Sequence, residues 1–120
     1  MAKSILCEKS YAFALRIIKL YKYLCSEKKE YVLSKQILKS GTSIGALVRE
    51  SEFAQSKADF VSKLSIALKE ANETDYWLSL LKDSEYITEQ MFISIEPDAV
   101  ELIKMLTSSI KTAKGRKNSE

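Results

Sequence analysis

The 120-residue chain, 46% hydrophobic and 29% charged with a net charge of +3, has the length and composition of a single globular domain. Its three glycines and one proline favour a few long helices. Because it has no histidine, it cannot contain a Ser-His-Asp triad, a Cys–His pair or a histidine-ligated metal site, and we expect no enzymatic activity, no cofactor and no small-molecule substrate.

The first helix is predicted over about residues 4–27, where apolar residues such as Phe13 and Ile17 recur at helical spacing. Cys7 and Cys25 both lie in this helix, about 27 Å apart at 1.5 Å per residue, which is too far for a disulfide. Free thiols are typical of a reducing compartment, so we expect a cytoplasmic location. No segment approaches the roughly 20 apolar residues of a membrane span, and no membrane association is expected.

The second helix is predicted over about residues 31–55, and its apolar stripe runs through Gly41 and Gly45 without losing phase. Each mid-helix glycine costs about 1 kcal/mol relative to alanine, so a close approach of another helix is expected there. We favour packing against the third helix, with a contact between subunits as the alternative. Phosphate binding is disfavoured because no strand precedes the glycines and the Gly-Lys-Ser/Thr ending of a P-loop is absent.

The third helix is predicted over about residues 57–84, beginning at Ser56 with a Ser-x-x-Asp capping box. The fourth is predicted over about residues 88–114. Pro97 lies inside it and has no backbone donor, which predicts a kink or a short break.

Four long helices with short connectors predict one all-α domain over residues 1–114, an antiparallel up-down-up-down four-helix bundle whose fourth helix is kinked or broken near Pro97. Residues 115–120 have no apolar anchor and are expected to form a flexible basic tail.

Several residues of the second and third helices are candidates for packing or for an interface. Glu70 and Glu73 are three residues apart, and paired carboxylates can carry out acid/base chemistry or bind a metal. Because basic residues on the same helices can neutralise them, we expect instead an ion-pair network between helices. Tyr76 and Trp77 are interpreted as packing residues or interface anchors. The full candidate set is Gly41, Gly45, Arg49, Glu50, Glu70, Glu73, Tyr76 and Trp77.

A known family shows the same sequence blocks in the same order. The blocks are residues 40–46 (SGTSIGA), 49–50 (RE), 56–60 (SKADF), 63–71 (KLSIALKEA) and 73–78 (ETDYWL). They resemble the four-helix bundle proteins of the 23S rRNA intervening-sequence family, so called because members are encoded in insertions within bacterial 23S rRNA genes. Leu47 stands where the family pattern usually has asparagine, and Ser51 where it often has alanine.

The resemblance implies a cytoplasmic bacterial four-helix bundle, commonly a ring-like homopentamer, with no established enzymatic activity. A related accessory protein of diversity-generating retroelements is basic and pentameric, and it associates with nucleic acid and a reverse transcriptase.

Charge is distributed unevenly along the chain. Residues 1–49 carry ten basic and three acidic side chains, residues 50–101 carry four basic and twelve acidic, and residues 102–120 carry five basic and one acidic. Two hypotheses use this asymmetry. In one, basic side chains contact nucleic-acid phosphates with low sequence specificity. The candidates are Lys3, Lys9, Arg16, Lys19, Lys22, Lys35, Lys39, Lys111, Lys114, Arg116 and Lys117.

In the other hypothesis, the basic part of one subunit faces the acidic part of the next, and the head-to-tail contact closes into a ring. The function predicted from the sequence is therefore a homo-oligomeric bundle, pentameric by resemblance, that serves as a scaffold or accessory factor for RNA or a ribonucleoprotein. The alternative is a purely protein-binding assembly module without nucleic-acid contact.

Overall fold

Four helices make up the part of the chain that the structure describes. The computed structural model describes residues 4–118, and the side chains of residues 4–115. The helices, in chain order, are α1 (Ile5–Glu27), α2 (Leu33–Ser51), α3 (Lys57–Asp83) and α4 (Glu89–Asn118). No strand occurs in residues 4–118, so the predicted all-α class with four helices is confirmed. None of these helices is long and apolar enough to cross a membrane.

Three of the helices begin next to a residue whose hydroxyl caps the first turn. The backbone N–H three residues further on donates to Ser4 Oγ at 3.0 Å, to Ser56 Oγ at 3.0 Å and to Thr88 Oγ1 at 3.1 Å. Each cap satisfies an N–H that has no partner within the helix. The cap predicted at Ser56 is confirmed.

The start of α2 uses a carboxylate instead of a hydroxyl. Glu30, buried in the middle of the connector, accepts hydrogen bonds from the N–H groups of Val32 at 3.1 Å, Leu33 at 2.9 Å and Ser34 at 2.7 Å. A carboxylate at this end also interacts favourably with the helix dipole. Glu30 therefore fixes the beginning of α2 at Leu33, two residues later than the sequence predicted.

We expect Glu30→Ala to lower the free energy of unfolding by about 1–3 kcal/mol, because three backbone donors lose their acceptor. Urea denaturation followed by circular dichroism measures this loss. Glu27→Ala is the matched control, since Glu27 is exposed at the end of α1. Equal urea midpoints for the two variants would contradict the capping role.

Pairs of contacting residues show the directions of α1 and its neighbours. Ser4 Oγ lies 3.1 Å from Glu52 Oε2, while Cys25 Sγ near the other end of α1 lies 3.8 Å from Ser34 Oγ. Residue numbers thus rise along α1 as they fall along α2, so these two helices are antiparallel. The up-down-up-down order of the whole bundle stays a prediction.

The hydrophobic core lies between the helices, and each of them contributes to it. Its largest fully buried side chains include Phe13, Ile17, Leu24, Ile37, Ile44, Leu64, Leu78, Leu81, Leu102 and Leu106. Among neighbouring helices, α1 and α4 approach each other at by far the fewest positions.

Helix α4 passes through Pro97 as one helix, so the predicted alternative of a break near that residue is wrong. The kink stays a prediction. The helix also continues to Asn118, four residues past the predicted end. Positive charge near the C-terminus of a helix is favourable because that end of the helix dipole is negative. Residues 119 and 120 of the predicted tail lie outside the described residues.

Gly41 is buried against α1, not against the third helix as predicted. A methyl group at Gly41 would lie 2.7 Å from Ile17 Cγ1, and one at Gly45 would lie 3.3 Å from the Ser10 carbonyl oxygen. The two glycines therefore allow α1 and α2 to approach closely within one chain. Because Gly41 is buried within its own chain, the close approach there needs no contact between subunits to explain it.

We expect Gly41→Ala to destabilise the fold by about 1–3 kcal/mol, because the branched side chain of Ile17 is fully buried and cannot move aside. Gly115→Ala in α4 is the control, with nothing within 4 Å of the added methyl group. It should be neutral or stabilising by up to about 1 kcal/mol. Thermal and urea unfolding check both changes, and a neutral Gly41→Ala would contradict the close-packing account.

Candidate subunit and nucleic-acid interfaces

An apolar groove runs along the outer face of α1 and α2. It has a volume of about 680 Å³, and its walls include Tyr11, Leu15 and Ile18 from α1, Ala46 from α2, and Phe53 just after α2. The α1 residues recur at i, i+4 and i+7, which places a second apolar stripe outside the core-facing one. We call these five residues the α1–α2 groove.

Large side chains in the α1–α2 groove are exposed to solvent. Phe53 is 80% exposed, and Tyr11 and Leu15 are about half exposed. Contiguous apolar side chains on a surface are typical of an interaction site. The groove was not predicted from the sequence, although the spacing of Tyr11, Leu15 and Ile18 was a usable signal.

Three lysines extend the same face toward the connector between α1 and α2. Lys22 lies two turns after Leu15 on α1. On α2, Lys35 lies two turns before Thr42, and Lys39 lies two turns before Ala46. All three lysines are exposed, and none forms an ion pair with a described residue. We call Lys22, Lys35 and Lys39 the basic stripe.

The remaining basic candidates lie elsewhere. Lys9 Nζ is 3.3 Å from Glu101 Oε2, and Arg16 Nη1 is 2.7 Å from Asp98 Oδ2, so both are engaged with α4. Lys19 is exposed on α1 beside the α1–α4 seam.

Lys111 and Lys114 are exposed near the end of α4. Because Lys9 of α1 faces Glu101, this end of α4 lies beyond the beginning of α1, far from the basic stripe. Lys3 lies outside the described residues, and so do the side chains of Arg116 and Lys117. The structure thus does not bring the eight described candidates into one surface.

The expected ion-pair network between α2 and α3 is absent from the described part of the chain. Neither Arg49 nor Glu50, Glu70 or Glu73 has an ionic partner within 4.0 Å there. The physical reason is register. Thr74 Oγ1 lies 2.8 Å from Ser40 Oγ. With the predicted antiparallel order, this register would place Arg49 opposite about residue 65, more than one turn from Glu70 and about two turns from Glu73.

Tyr76 and Trp77 differ in their surroundings. Their rings meet edge to face with centroids 5.2 Å apart, but Trp77 packs against the core while Tyr76 is mostly exposed. Trp77 is therefore a packing residue. Tyr76 stays a candidate anchor, and together with Glu73 and the exposed Ile66 it forms a surface that we call the Tyr76 ridge.

Comparison with known proteins places this bundle in a family. The family model described as 23S rRNA-intervening sequence protein matches residues 2–108. The chain belongs to this family. It is also similar to the crystal structure of a protein with unknown function from the S23 ribosomal protein family of Bacteroides thetaiotaomicron. The two chains are 60% identical with a TM-score of 0.88, and the match covers 89% of this chain and 99% of the other. No curated protein matches the sequence.

Two titratable groups in this member of the 23S rRNA-intervening sequence protein family have a raised pKa. A hydrogen bond to the Cys25 side chain is the main cause that raises the pKa of Tyr21, and burial is the main cause that raises the pKa of Glu96. In both cases the protonated form is favoured. Within residues 4–118, no group of three or more histidine, cysteine, aspartate or glutamate side chains is arranged to hold a metal ion.

Proposed function

We propose that this protein is a non-enzymatic, ring-forming homo-oligomer, pentameric by its family resemblance, that serves as an accessory scaffold for RNA. The observation that carries the assembly part is the exposed α1–α2 groove. A cytoplasmic location belongs to the proposal and is supported by the two free thiols of Cys7 and Cys25.

The shape and composition of the groove suit a protein partner. Tyr11 and Phe53 offer aromatic side chains, the residue type that contributes most to interface energies, and Ala46 keeps the space between them open. Leaving these apolar groups in water is unfavourable, at about 25 cal/mol per Å² of exposed apolar surface. A partner that covers the groove removes this cost.

The chain itself offers a complementary surface on α3. The Tyr76 ridge presents an exposed aromatic ring beside the carboxylate of Glu73, whereas the groove continues into the basic stripe. Insertion of Tyr76 of one copy into the groove of the next would bring acidic residues toward lysines. Because the two surfaces differ, the contact is heterologous and repeats around a ring.

We expect the double change Leu15→Asp and Phe53→Asp to convert the oligomer into a helical monomer, because two carboxylates would be buried without partners. Light scattering measures the mass, and circular dichroism checks that the bundle is folded. Ile93→Asp is the control, since Ile93 is 60% exposed on α4 and lies outside the groove. An intact oligomer in the double variant, or equal dissociation in the control, would contradict a role of the groove in assembly.

The basic stripe is the observation that supports RNA as the second partner. Its three ammonium groups have no carboxylate partner in the described chain, unlike Lys9 and Arg16. Phosphates attract such groups without sequence specificity. In a ring, several stripes would act together, and weak individual contacts would add to a useful affinity.

We expect Lys22→Glu, Lys35→Glu and Lys39→Glu together to weaken binding of a structured RNA and to reduce the slope of log K against log salt by roughly 2 to 3. The control is the same reversal at three exposed lysines outside the stripe, Lys57, Lys69 and Lys104.

Light scattering of the same samples separates lost RNA binding from lost assembly. A second variant that reverses Lys111, Lys114, Arg116 and Lys117 tests the end of α4. If the wild-type oligomer ignores RNA at both low and high salt, the alternative of a purely protein-binding module replaces this part of the proposal.

A further inference from the structure

The turn of α4 around Pro97 is held by polar contacts with α1. Proline has no backbone N–H, so this turn lacks one of the hydrogen bonds of a regular helix. On this side Arg16 Nη1 donates to the Ser94 carbonyl oxygen at 2.9 Å and to Asp98 Oδ2 at 2.7 Å, while Nη2 donates to Ser94 Oγ at 2.6 Å. Arg16 therefore spans the proline turn and ties it to α1.

The same turn carries a carboxyl group on its α3 side. Glu96, the residue before Pro97, lies near Asp75 of α3: burial raises the pKa of Glu96 most, and the nearby Asp75 carboxyl raises it further. Asp75 Oδ1 is buried and has no donor among the described residues. Two ionised carboxylates would repel each other and leave this oxygen unpaired, whereas one proton between them supplies the missing donor.

The charges around this pair come from α3, α4 and α1. Lys82 of α3 is close enough to act on Glu96 and opposes the rise of its pKa, and its ammonium group lies 4.6 Å from the centre of the Phe92 ring of α4. On the α1 side Arg16 is bound to Asp98 of α4, and Lys9 is bound to Glu101. The α2 helix does not approach α4 within the described chain. Burial and the contact with Asp75 still raise the pKa of Glu96.

We propose that Asp75 and Glu96 share a single proton across the α3–α4 seam, and that this proton holds the proline turn of α4 against α3. The proton makes the turn a pH-sensitive hinge. The first half of α4, which it anchors, also forms one wall of a groove of about 470 Å³ against α1, lined by Arg16, Leu20, Met91 and Ile95 among others. Release of the proton frees that wall from α3.

The direction of the pH effect follows from the raised pKa. Between the ordinary glutamate value of 4.5 and the raised value in the folded protein, the folded state holds a proton that the unfolded state has lost. The stabilisation is therefore complete below the unfolded value, and it disappears as the pH rises through the folded value. Each unit of the raise corresponds to a tenfold change in the opening equilibrium.

Hydrogen exchange at the amides of residues 89–96, corrected for the intrinsic pH dependence of exchange, tests the hinge as the pH rises from the ordinary glutamate value of 4.5. We expect wild-type protection to fall severalfold as the pH rises. In Glu96→Gln the amide donates at every pH, so protection should be constant. Glu89→Gln is the matched control on the same helix and should keep the wild-type profile, since Glu89 is exposed.

Carbon NMR of the Glu96 carboxyl group gives a second readout that needs no destabilising variant. Its titration midpoint in the wild type should lie above the ordinary value, and Asp75→Asn should lower it because the neighbouring negative charge is lost. A wild-type midpoint at the ordinary value, a flat wild-type exchange profile, or a midpoint unmoved by Asp75→Asn would each overturn the shared proton.

Discussion

The architecture depends on how closely α1 and α2 approach at Gly41. Ile17 occupies the space that a side chain at Gly41 would need, and Gly45 lies against the backbone of Ser10. The same approach determines the outer surface. The core-facing side of α1 packs on α2. The other apolar residues of α1, Tyr11, Leu15 and Ile18, therefore lie beside the small residues of α2 and beside Phe53, and together they form the α1–α2 groove. Core packing and the candidate subunit interface are thus two sides of one helix contact.

Charge completes the division of the surface. The cations of α1 that face α4 are neutralised within the chain, as Arg16 is by Asp98, whereas the basic stripe has no such partner among residues 4–115. In the proposed function, its positive charge attracts the carboxylates of a second copy or the phosphates of RNA. The apolar groove and the basic stripe occupy successive lengths of the same face. A copy seated in the groove would leave part of the stripe at the edge of the contact, where phosphates can still reach it.

Helical periodicity was enough to predict four helices and the cap at Ser56, because these depend on residues close in sequence. Contacts between distant segments were not readable in the same way. Gly41 indicated that another helix approaches α2 closely. The spacing of the glycines did not show whether that helix is α1 or α3. The prediction of an ion-pair network was wrong because the register of α2 on α3 is set by contacts such as that of Ser40 with Thr74. The spacing of residues within one helix does not reveal such a contact. Phe53 lies in a turn beyond α2, where periodicity carries no information.

The attachment of α4 shows how polar contacts compensate for a sparse seam. Few positions of α4 approach α1, so apolar contact alone holds these two helices together weakly. In addition, Pro97 removes one backbone hydrogen bond from α4. Arg16 holds the turn on the α1 side, and the proposed Asp75–Glu96 pair would hold it on the α3 side. Arg16 keeps its charge at every relevant pH, while the proposed shared proton does not persist. A rise in pH would weaken only the α3 side, and the Arg16 contacts would then be the polar contacts that still hold this turn.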